Sequence, residues 1–169
     1  MDLMGTTSIA GPLQFAVDYV IAFGADFFAF IIVAGAIAAL AFYFGRDRLI
    51  SFVAALYAAV VLYRAFPYGS MLPADNPYVQ IGVFVGFTLI ALIAFSGLSF
   101  FLARTTSSFL GTAILSAVTA GLILAISIHV LPVQTLYSFS PPTMALFASP
   151  EMFFWWLVAP LVGLFFFGR

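Results

Sequence analysis

DYVIAFGADFFAFIIVAGAIAALAFYFGRDRLISFVAALYAAVVLYR, residues 18–64, reads as two apolar helices folded back on each other at Gly45-Arg46-Asp47-Arg48. Residues 27–44 and 49–63 carry no charge. Ionisable groups gather at the turn and near the far ends, with Asp18 and Asp26 on one arm and Arg64 closing the other. Uncharged apolar runs of about this length are what a helix needs to cross a bilayer. The stretch is a membrane hairpin, and it sets the class of the chain without setting its activity.

The rest of the composition agrees. Of 169 residues, 65% are hydrophobic and only 7% are charged, where a soluble domain is about a quarter charged. The lipid bilayer is therefore the expected solvent and first partner. There is no lysine, and a net charge of −1 leaves no basic patch for nucleic acid. Cysteine is absent and His129 is the only histidine, so no metal and no cofactor is expected. No GxSxG, HExxH, Walker or GxGxxG motif is present, and the chain is expected not to be an enzyme. The N-terminus carries an acid and no base ahead of its apolar region, so the first span is expected to be retained rather than cleaved.

Read along its length, the chain is an all-α, polytopic transmembrane bundle of about five spans in one domain, 1–169. The spans fall at about 26–44, 49–66, 78–102, 109–131 and 152–168. Two readings compete for residues 13–44. The helix tilts and protrudes, or residues 13–24 lie at the interface with Gly24 as the break. Pro67 ends the second span, and Tyr57, Tyr63 and Tyr68 suit an interfacial belt. Residues 132–150 hold four prolines, yet they are apolar and almost uncharged. Such a segment lies on the membrane surface or re-enters it. The fifth span opens with Phe153, Phe154, Trp155 and Trp156, an aromatic anchor, and Pro160 is a candidate kink.

Small residues mark candidate helix-packing faces: Gly35 with Ala39, or Ala34 with Ala38, in span one, and Gly82, Gly86 and Gly97 in span three. Packing between spans of the same chain is the first expectation for the Gly82/Gly86 pair, and self-association the sharper one. Thr112, Ser116, Thr119 and Ser127 form a polar stripe on span four. It either lines a solute path or bonds back to its own helix, and the second is favoured because no ionisable residue lies along it. His129 reads as an interfacial, solvated side chain. Asp26 and Arg64 stand at similar heights in an antiparallel hairpin, so an intramembrane ion pair is expected. Otherwise Arg64 snorkels and Asp26 lies in the interface.

An acid at the head of span one, the turn Gly45-Arg46-x-Arg48, an apolar second span, and an Arg104-led small-polar turn before Gly111 and a small-residue fourth span together resemble the colicin V production family of bacterial inner-membrane proteins. The resemblance covers residues 15–130. The chain departs from the family in lacking Gly after Arg in the turn and in adding a Pro-rich loop with a fifth span. The resemblance implies a role in export, envelope maintenance or membrane integrity, with no catalytic residues to carry over. The expectation is a scaffold or subunit of a membrane assembly, with other membrane subunits or further copies of itself as partners. The alternative is a small-solute transport component, which a hidden span in 132–150 or a wet pocket along Thr112–Ser127 would favour.

Overall fold

A computed structural model describes residues 10–67, 76–96 and 109–167. It is all-helical, with no strand among the described residues. The helices are α1 (Ala10–Phe44), α2 (Arg46–Ala65), α3 (Pro77–Ser96), α4 (Phe109–His129), a 3₁₀ turn at Pro132–Thr135, α5 (Pro141–Phe147) and α6 (Pro150–Phe167). Four stretches are long and apolar enough to cross a membrane: Phe23–Tyr43, Asp47–Ala65, Pro77–Ser96 and Phe109–His129. The α5–α6 pair, bent by 66°, makes a fifth if it is counted as one span. Large side chains such as Ile31, Leu40, Val61, Ile90, Ile93, Phe154 and Phe165 are exposed on the outside of the bundle, as lipid contact requires.

The turn between α1 and α2 is a single residue. Gly45 sits at φ 91°, ψ 153°, a region essentially closed to residues with a Cβ, and Arg46 already opens α2. At the other end α1 runs unbroken through Gly24, so Gly24 is not the break that the interfacial reading expects.

The two arms of this hairpin do not lie along each other. They meet near the turn, where Ile37, Ala41 and Leu49 share a buried cluster with Leu115 and Ala120. Beyond it α1 lies on α4 and α2 lies on α3. An apolar crevice of about 380 Å³ remains where they part, lined by residues including Leu40, Leu49, Phe52 and Leu92.

At the centre is α4, the most buried of the four long helices. It touches α1, α2 and α6, and its small residues Gly111, Thr112, Ser116, Thr119, Ala120, Gly121 and Ala125 are all buried. Short side chains allow three neighbours to approach one helix closely. Gly121 lies directly beneath the Trp156 indole, and a Cβ there would run into the ring.

The other small-residue faces behave differently. Space around Gly35, Gly82 and Gly86 is open, with nothing within 4 Å of an added Cβ, and Ala39 is exposed. Among the described residues the expected packing of Gly82 and Gly86 within the chain is therefore not found, and of the two alternatives on α1 the fold uses Ala34, which packs into the core beside Ile37. The geometry explains both. At ~100° per residue, Gly82 and Gly86 lie roughly opposite Phe84, Thr88 and Ala91, the buried face of α3. Gly35 and Ala39 stand in the same relation to Ile37 and Ala41. Gly97 lies outside the described residues.

Candidate functional site

The site is built around α5, a seven-residue helix held at both ends by side chains from other helices. Ser140 precedes it in extended conformation, and Pro141 and Pro142 fill its first turn. Prolines have no N–H, so they reduce the donors that a helix start must satisfy in an apolar setting. The Ser140 N–H that remains donates to Asp26 Oδ2 at 2.8 Å, and the Tyr137 hydroxyl donates to Asp26 Oδ1 at 2.6 Å. The Ser140 and Thr143 hydroxyls hydrogen-bond each other at 3.0 Å. At the far end, His129 Nε2 donates to the Phe147 carbonyl at 2.7 Å, and its ring lies 4.4 Å from that of Phe153. A carboxylate at the start of a helix suits the helix dipole, and a ring N–H at its end satisfies one of the carbonyls left without an intrahelical donor.

Trp156 completes the fastening. It stacks on Phe147 at 4.7 Å between centroids and 16° between planes, and its indole N–H donates to the Leu146 carbonyl at 3.3 Å. The tryptophan pair is thus divided, since Trp155 is exposed while Trp156 turns inward over Gly121. Tyr137, outside the long helices, has its phenol pKa raised by the Asp26 hydrogen bond, with burial and the Asp26 charge adding to it.

Several expectations change against this geometry. Asp26 does not pair with Arg64, and among the described residues no ion pair joins them. Equal height in a hairpin brings two side chains together only if the helices lie in contact there, and α1 has by then left α2 for α4. Arg64 is exposed. His129 is a half-buried fastening rather than a solvated residue. Tyr57 and Tyr63 do not form a belt. Tyr57 donates to the Leu157 carbonyl of α6, next to the Trp156 carbonyl that Pro160 leaves without its helical donor. Tyr63 is buried, donates to Gln80 Oε1 at 3.0 Å and meets Phe84 edge-on at 5.8 Å. Tyr68 lies outside the described residues.

The α4 hydroxyls follow the favoured reading and bond back one turn: Ser116 to the Thr112 carbonyl at 2.8 Å, Thr119 to that of Leu115 at 2.7 Å and Ser127 to that of Ile123 at 2.8 Å. Thr112, Ser116 and Thr119 are buried against neighbouring helices. Only Ser127 reaches open space. It lines a cavity of about 190 Å³ between α1, α4 and the segment 137–143, together with Asp26, Phe30, Tyr137, Phe139 and Thr143.

Tyr137, Ser140, Thr143 and Phe139 were not singled out from the sequence. The usable signal was Asp26, an acid within an apolar helix that needs donors, set against an uncharged loop rich in hydroxyls and prolines. Among the described residues no group of three or more His, Cys, Asp or Glu side chains is placed to hold a metal. No family model, curated protein or solved structure matches the chain. Composition and fold make it an integral membrane protein.

Proposed function

We propose that this chain is a non-enzymatic, multi-pass subunit of a larger assembly in a bacterial inner membrane, and that α3 docks against a second copy of itself through Gly82 and Gly86. One observation carries the reading: the GxxxG face is open although it is the kind of face that lets helix backbones approach in lipid. A part in export or envelope maintenance fits the resemblance to the colicin V production family. Weighing against a solute path along α4, Thr112, Ser116 and Thr119 are packed against neighbouring helices, and of the stripe Ser127 alone faces a cavity.

The chain has no cysteine, so the test is free of background. Gly82→Cys or Gly86→Cys in native membranes should cross-link into a species of twice the chain's mass, while a cysteine at the buried Ala91 should not. A cross-link to a different protein would support the assembly and overturn self-association. No cross-link at either glycine would overturn both.

For orientation, Arg46, Arg48, Arg104 and Arg169 would share one side of a five-span chain, with Asp75 and Glu151 opposite. The positive-inside rule then puts the N-terminus out and the C-terminus in the cytoplasm. Labelling of Asp47→Cys by an impermeant reagent added to intact cells would reverse this.

A further inference from the structure

We propose that the cavity beside Asp26 binds a quaternary ammonium group, with Asp26 as counter-ion and Phe30, Tyr137 and Phe139 as its aromatic walls. The site is independent of the assembly proposed above, and its test does not read oligomeric state.

Three observations converge. The first is charge. The Asp26 carboxylate is served by neutral donors, Tyr137 and Ser140, and among the described residues no arginine or histidine is bonded to it. Neutral donors stabilise an anion but leave its charge, which is costly within an apolar helix until a cation stands beside it.

The second is shape. Tyr137 and Phe139 meet edge to face, 5.0 Å between centroids and 74° between planes, so their rings form a corner. Phe30 of α1 lines the same cavity. At about 190 Å³, it is several times the ~30 Å³ share of a water molecule, enough for a nitrogen carrying methyl groups.

The third is the type of cation admitted. Hard metal cations take about six or more oxygen ligands. Among the described residues, Asp26, Ser127, Tyr137 and Thr143 bring side-chain oxygens to the lining, and all four already take part in hydrogen bonds. A primary ammonium would also compete for acceptors already in use. A quaternary ammonium donates no hydrogen bond and takes its stabilisation from a nearby negative charge and aromatic faces. That is the chemistry this cavity offers.

Asp26 is close to the start of the apolar stretch Phe23–Tyr43, so the group can arrive in two ways, as a free solute or as the head of a choline phospholipid. The probes are tetramethylammonium chloride added to the detergent-purified protein, against equal sodium chloride, and nanodiscs of phosphatidylcholine against phosphatidylglycerol. The readout is the thermal unfolding midpoint as a function of probe concentration. Tetramethylammonium should raise the midpoint where sodium does not. Asp26→Asn and Phe139→Leu should each weaken the apparent affinity roughly tenfold or more. Tyr137→Phe keeps the ring and the charge while removing the hydrogen bond, so it should bind as wild type does. Ser127→Leu, which fills the cavity without touching Asp26, should abolish the effect, and it carries the test if Asp26→Asn does not fold. Stabilisation by phosphatidylcholine alone, with the same dependence on these residues, assigns the site to a lipid head. A sodium effect of equal size, a response that survives Phe139→Leu and Ser127→Leu, or no response to either probe overturns the proposal.

Discussion

Gly121 and Gly86 are both glycines inside uncharged helices, and the fold treats them oppositely. Around Gly121 the Trp156 indole fills the place of a side chain, while around Gly86 there is open space. The difference follows from the neighbours. The helix α4 is pressed on by α1, α2 and α6, and only a helix of small residues lets three partners come so near. By contrast α3 turns Phe84, Thr88 and Ala91 to α2 and leaves its glycines on the far side. A small residue in a span marks a place where something approaches closely only when the fold supplies that something.

The largest effect is expected where this contact is tightest. Gly121→Leu drives a branched side chain into the Trp156 ring, and overpacking of this kind costs about 1–3 kcal/mol or more. The unfolding midpoint in detergent should fall clearly, and adding Trp156→Ala should restore part of the loss. A Gly121→Leu protein that melts with wild type would mean that α6 does not sit over α4 as described.

Asp26 comes next, and it sharpens the contrast between the two sides of α1. Asp26→Ala removes the acceptor for the Ser140 N–H and the Tyr137 hydroxyl, for an expected loss of about 1–2 kcal/mol. Amide hydrogen exchange should rise over 137–147 and stay unchanged over α2. Because Arg64 is not the partner, Asp26→Ala and Arg64→Ala should add. A double mutant that recovers stability would restore the ion pair and displace the hydrogen bonds to the 137–143 segment.

Tyr57→Phe tests the link between α2 and α6 at the turn opened by Pro160. One hydrogen bond between membrane helices averages about 0.6 kcal/mol, so the midpoint should fall by a small but measurable amount. A loss as large as that of Gly121→Leu would show that the hydroxyl, rather than the close packing of α4, holds α6 in place.

These effects also show what could be read in advance. That helices exist, and where they turn, was legible because charge and glycine are punctuation in an apolar chain: Gly45 with its arginines, and Pro67. Which face of each helix is buried was not. In water the apolar side of a helix faces the core, but in lipid both sides are equally apolar, and periodicity no longer separates them. The misplaced partners share this cause. Asp26 and Arg64 were matched by height, a property of single helices. Their separation comes from α1 leaving α2 for α4, a property of faces. The segment 132–150 was legible as unusual, but its purpose depends on Asp26, more than a hundred residues earlier in the chain.

The smallest effect is predicted where the comparison began. In the single chain, Gly86→Leu should leave stability within about 0.5 kcal/mol of wild type, since a Cβ there meets no atom of the described residues within 4 Å, and leucine is the better helix former. The same substitution places a bulky group on the side of α3 that, among the described residues, is open to another helix. A protein that melts as wild type in detergent yet fails to assemble in membranes would separate the two roles glycine has here, room inside a fold and room between folds. Loss of monomer stability would instead mean that α3 turns its glycines inward, and the contrast with Gly121 would vanish.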